Sequence, residues 1–188
     1  MNVAAPVARS GPPRGIFPRV GGRVPGYPAR MQTFLPCADF TASARTLDRR
    51  RLGKQRVEAL QVLRALVIPG YGWRHHPAAK MWTGYEEALT RYGLEVCAVW
   101  CELGAADTCA VKLGEEFTRS VGGPEVRTQA ELKAAGDVPP WLGDEALHRS
   151  HQSALVRKDP DHYGTRFPGV PPDLPYVWPP SDRPSRTA

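Results

Sequence analysis

Gly84-Tyr-Glu-Glu-Ala-Leu-Thr-Arg-Tyr-Gly-Leu-Glu-Val-Cys-Ala-Val-Trp-Cys-Glu-Leu-Gly104 is the stretch that decides the fold class. Tyr85, Leu89, Tyr92, Val96, Val99/Trp100 and Leu103 recur at intervals of three and four residues, the signature of a helix with one apolar face turned to a core. Such a face needs other helices to cover it, and the flanking sequence supplies them. Phe34-Leu35-Pro36 reads as a short extended entry. Thr41 or Ser43 then caps a helix that runs, with a break near Gly53, to Ile68, where Pro69-Gly70 stops it. A further helical stretch begins after Pro77 and takes in Met81 and Trp82, and residues 105–118 add another. Gly122-Gly123-Pro124 is a loop, and Asp144 through Arg157 forms a helix stopped before Pro160. Strand-like alternation is absent and no repeat is visible. The expectation is an all-α, compact, single-domain helical bundle with extended Pro-rich termini.

With 188 residues the chain has room for one domain. Its 41% hydrophobic content, five Trp included, suffices for a core, while no apolar run approaches the length of a membrane span. The formal charge of +6 misleads, because residues 1–30 hold five arginines and no acid, leaving the rest nearly neutral. Residues 1–30 are also rich in Pro and Gly and poor in bulky apolar side chains, so they are expected to be a disordered extension, or one that a true start at Met31 would remove. The body is assigned to residues 31–180 and a disordered tail to 181–188. From Pro160 onward eight prolines make an extended strap, whose Tyr176-Val177-Trp178 is placed to dock on the body. No secretory signal and no disulfide-style framework are present, so the expected compartment is the cytoplasm, with no membrane partner.

Arg45 through Glu58 holds six basic residues in fourteen positions, and charge is concentrated there. At about 100° per residue, Leu52, Ala59, Leu63 and Leu66 form a buried stripe, while Arg51, Lys54, Glu58 and Gln61 lie off it. A carboxylate among cations has two readings. One is a solvated Lys54–Glu58 pair of the ordinary i,i+4 kind. The other is a phosphate-holding surface in which Glu58 does acid/base work or stabilises an oxocarbenium-like sugar. Cys97-x₃-Cys101 nominally suits zinc but sits on the core helix, so both thiols are read as small hydrophobes, and no metal site is assigned. Trp73, Trp82, Trp141 and Trp178, near basic or Gly/Pro-rich segments, are either core residues or stacking platforms.

The order of Leu47-Asp-Arg-Arg-Arg-Leu-Gly-Lys-Gln-Arg-Val-Glu58, Gly70-Tyr71 with His76-Pro77, and Leu147-His-Arg-Ser-His151 leading to Asp159-Pro-Asp-His-Tyr163 resembles the pyrimidine-dimer DNA glycosylases of the phage endonuclease V type. It is more similar still to a group of actinobacterial proteins related to them. The resemblance implies an all-helical domain that binds damaged duplex DNA as a monomer, without a cofactor. It implies an N-terminal α-amine that attacks C1′ and a helix-borne Glu, here Glu58, that stabilises the sugar cation and assists strand cleavage. The amine maps onto Met31 if the chain starts there; Gln32 after it is too large for the methionine to be removed. Lys54, one turn from Glu58, is the second amine candidate. Arg49, Arg50, Arg51, Arg56 and Gln61 are the DNA-contact candidates on the same helix, joined by His76, Trp82, His148, His151, His162 and Tyr163, with Phe167 in the same C-terminal segment. The rival readings are a non-catalytic DNA-binding module, and a small-molecule or metal-dependent hydrolase built on His75, His76, His148 and His151.

Overall fold

A computed structural model describes residues 31–185; the expectations for residues 1–30 and 186–188 lie outside it. Among the described residues there are eight helices and no strand: α1 Phe40–Thr46, α2 Arg49–Val67, α3 Pro77–Lys80, α4 Glu86–Glu102, α5 Cys109–Ser120, α6 Gln129–Ala134, α7 Glu145–Lys158 and α8 Pro160–Tyr163. The all-α expectation holds. The helix read from the opening stretch, α4, is the centre of the bundle and packs on α1, α2, α5 and α6. Leu89, Tyr92 and Val96 of its stripe are fully buried. Leu103 falls at the C-cap, past the last turn, and is 49% exposed instead. At Gly93 a Cβ would lie 2.7 Å from Leu113 and 3.1 Å from Ala59, so the missing side chain lets α2, α4 and α5 meet at one point.

The break expected near Gly53 lies six residues earlier. Leu47 turns extended, and the Asp48 side chain accepts from the amides of Arg50 and Arg51, opening a new helix. Gly53 stays helical, and its role is space: a Cβ there would lie 3.0 Å from the Trp100 ring. Asp39, rather than Thr41 or Ser43, caps α1, because the Ser43 hydroxyl is turned back to Cys37 O at 2.8 Å. Sequence reading omitted α6 and α8. The first carries a capping box, Thr128 with Glu131, and the second has Pro at its start, both visible signals for helices too short to show periodicity.

The strap docks as expected and goes further. The Leu174 and Val177 amides donate to Ser153 and Ser150 of α7. Residues 181–185, expected in the disordered tail, are held as well: Tyr85 Oη donates to Asp182 at 2.7 Å, and the Arg183 guanidinium lies 4.2 Å over the Tyr85 ring and pairs with Asp137. No helix among the described residues is long and apolar enough to cross a membrane.

Candidate functional site

Residues 31–36 run extended through the interior, with Met31, Gln32, Thr33, Phe34 and Leu35 all buried. With no strand beside them, their backbone groups need side-chain partners. Gln55 of α2 takes the place of a neighbouring strand: its Nε2 donates to Gln32 O at 2.6 Å and its Oε1 accepts the Phe34 amide at 3.1 Å. Tyr92 donates to Phe34 O, and Gln152 to Pro36 O. Two histidines of α7 hold Leu35. The His151 Nδ1 accepts its amide at 2.9 Å, so the imidazole proton sits on Nε2. His148 uses Nε2 to accept from Gly143, leaving Nδ1 to donate to Leu35 O at 2.8 Å.

This clamp sets the surroundings of Glu58, one helical turn beyond Gln55. The Glu58 side chain is 7% exposed, accepts from the Gln32 backbone amide, and pairs with Lys54 Nζ at 3.1 Å. Lys54 itself is 67% exposed. Lys158, at the end of α7, adds a second positive charge to the carboxylate and places its ammonium 5.9 Å from the Phe34 ring centre. Burial raises the Glu58 pKa above its ordinary value, and Lys54, Lys158 and the Gln32 amide only partly offset this. A buried carboxyl whose charged form is disfavoured by burial is thus set under two amines at the surface. Lys54 and Glu58 are paired, and Met31 immediately precedes Gln32, whose amide donates to Glu58. The pairing is the i,i+4 one read from spacing, but the carboxylate is buried rather than solvated.

The arginines that flank Glu58 in sequence turn elsewhere. Arg51 pairs with Asp48 and, at 3.5 Å, with Asp159, donates to Lys158 O, and lies over the Tyr163 ring. Arg56 pairs with Asp107 and lies 4.2 Å over Trp100, which Arg49 approaches at 5.2 Å. At Asp107 the side chain is 4% exposed, so Arg56 belongs to the packing of α2 on the α4–α5 turn and has no open face for a phosphate. Arg50 is exposed and Gln61 half-buried.

Several other expected contact residues have partners within the protein. Trp82 is fully buried and donates to Thr33 Oγ1; Trp141, buried against it, donates to Met81 O. Tyr163 is fully buried, its hydroxyl donating to Asp48 Oδ2 at 2.6 Å and accepting the Asp48 amide. Phe167 stacks on it and His162 meets it edge-on. His148 has both ring nitrogens engaged, and His151 is held to Leu35 through Nδ1, with its buried Nε2 without a hydrogen-bond partner. Partly buried His76 caps α3, accepting the Ala78 amide, between the rings of Trp73 and Trp178. Among the described residues no group of three or more His, Cys, Asp or Glu is placed to hold a metal. Cys97 is a buried thiol as expected, but Cys101 is exposed; Cys109 is also buried. Sequence reasoning passed over Gln55, Gln32 and Lys158. Gln55 left a signal, a polar residue about 60° from Leu52 on the apolar stripe; Lys158, remote in sequence, left none.

The chain has no significant match among curated proteins or solved structures. A family model described as pyrimidine dimer DNA glycosylase matches residues 31–113. That region runs from the extended entry through α1, α2, α3 and α4 into α5, and contains Gln32, Lys54, Gln55 and Glu58 but not Lys158 or the strap. Residues 31–113, with Gln32, Gln55 and Glu58 among them, are thus the part of the chain that is similar to the pyrimidine dimer DNA glycosylases.

Proposed function

We propose that this protein is a DNA N-glycosylase with associated abasic-site lyase activity on damaged duplex DNA, pyrimidine dimers being the lesion that the family description names. The observation that carries the reading is the Lys54 ammonium, exposed to solvent, 3.1 Å from a buried carboxyl of raised pKa. The deprotonated fraction of Lys54 attacks C1′, and the C1′–N bond breaks with its electron pair leaving on the base. Positive charge building on the sugar is opposed by the Glu58 carboxylate, and an electrostatic group of this kind commonly contributes about 10²–10³ in rate. Nζ, now bonded to C1′, passes a proton to Glu58. The C1′–O4′ bond then opens to an iminium as Glu58 returns that proton to O4′. Burial that disfavours the charged form suits a carboxyl that takes up and returns a proton. Removal of a C2′ proton by Glu58 expels the 3′-phosphate. Arg50 and Lys158 are the cations placed to meet the DNA backbone.

Borohydride reduction of the full chain with abasic-site DNA tests this. A covalent adduct is expected, lost in Lys54→Ala, while Glu58→Gln lowers single-turnover cleavage by at least about 10² with DNA affinity unchanged or higher. If Lys54→Ala traps as well as the parent, the amine is another one; in a chain beginning at Met31 its α-amine is the competitor. The exposure of Lys54 also fits a second reading, a non-catalytic DNA-binding module in which the pair is only electrostatic. Binding without any adduct or turnover on abasic and dimer-bearing duplexes establishes that reading instead.

A further inference from the structure

Away from Glu58, a groove of about 380 Å³ opens between α3 and the strap, with Trp178, His75, Lys80 and Arg183 in its lining together with three prolines. We propose that it seats an unpaired nucleotide of a DNA strand, the base against Trp178 and the phosphate beside Lys80 and Arg183; the strand's relation to Glu58 rests on the function proposed above.

No carboxylate lines the groove. Asp137, which pairs with Arg183, lines a separate cleft, and Asp182 is engaged by the Tyr85 hydroxyl. Arg183 is immobilised before any ligand arrives: it donates to Gly136 O at 2.9 Å and lies over Tyr85. Prolines make the walls stiff, so little ordering cost remains on binding. The volume lies in the range of about 300–1,000 Å³ found for small-ligand sites. A cation pair beside a half-buried indole is the combination that holds a strand through its phosphate and a base through its face. An acidic peptide would use the cations and leave the indole idle.

From Trp178 a row of aromatic rings runs through Tyr176 and His151 to Phe34, with centre-to-centre steps of 5.2, 5.9 and 6.4 Å, and Lys158 stands over the last ring.

The test is fluorescence anisotropy of a short labelled oligothymidine with the full chain, titrated at several salt concentrations. Trp178→Ala is expected to weaken binding about tenfold and Trp178→Phe, which retains a ring and guards against misfolding, less than about threefold. Lys80→Ala, at an exposed position, should lower the salt slope by about one. Parent-like binding by both Trp178→Ala and Lys80→Ala overturns the proposal, as does equal affinity for thymidine monophosphate or polyglutamate. The outcomes are separable from those at Glu58: strand binding without a borohydride adduct keeps the groove and removes the glycosylase reading, and an adduct without strand binding does the reverse.

Discussion

Replacing Gln55 by Leu tests the clamp that places the extended entry on Glu58. Gln55 is fully buried and makes two backbone hydrogen bonds, to Gln32 O and from the Phe34 amide. Leucine nearly preserves the volume and leaves both backbone groups buried without partners, at about 1–3 kcal/mol each. The leucine side chain returns roughly 1.5–3 kcal/mol through apolar burial. The expected net loss is therefore about 2 kcal/mol, read as a lowered urea midpoint at unchanged m-value. Hydrogen exchange at the Phe34 amide should accelerate by more than the global loss of stability explains, because the entry detaches before the bundle opens. With the Gln32 amide withdrawn from Glu58, the carboxyl loses a bond that favours its charged form, and the borohydride adduct should fall with it. A stability loss below about 0.5 kcal/mol, with the Phe34 amide still protected, refutes the account of Gln55 as a surrogate strand.

Arg56→Ala is expected to cost about 3 kcal/mol by stranding the buried Asp107 carboxylate, yet to leave the DNA affinity of the folded variant within about twofold, as denaturation beside a binding titration will show. Tyr163→Phe orphans the Asp48 amide and should cost about 1–3 kcal/mol without altering the salt slope for DNA; a reduced slope would restore Tyr163 to the contact surface. Burial and neighbouring His148 pull the His151 pKa down to about 3, below its ordinary value. The unfolded chain therefore takes the proton first. This contribution to stability is complete above about pH 6.5 and falls by about 1.4 kcal/mol per pH unit as pH drops toward 3. His151→Gln, which retains an acceptor for the Leu35 amide, should flatten that slope between about pH 6.5 and 4.5 in urea titrations.

The sequence by itself determined the helical class and the central helix, because Tyr85 through Val99 repeat an apolar spacing that only a covered helix face explains. It also determined the Lys54–Glu58 pair, since residues four apart on a helix are neighbours whatever the rest of the chain does. Glu58's burial is not local information. It depends on residues 31–36 lying across α2, which in turn depends on Gln55, Tyr92, His148 and His151 meeting from three helices. Tertiary structure alone decided which arginines remain open: Arg51 and Arg56 look like neighbours of Arg50 in sequence, but Asp159 and Asp107, more than fifty residues downstream in the case of each, claim them. The same holds for Lys158 and for the groove at Trp178, which exist only because α7 and the strap return to the face of α2 and α3. Periodicity records the environment along one helix. Charge neutralisation and enclosure are relations between helices, and they are written in contacts that no spacing along the chain encodes.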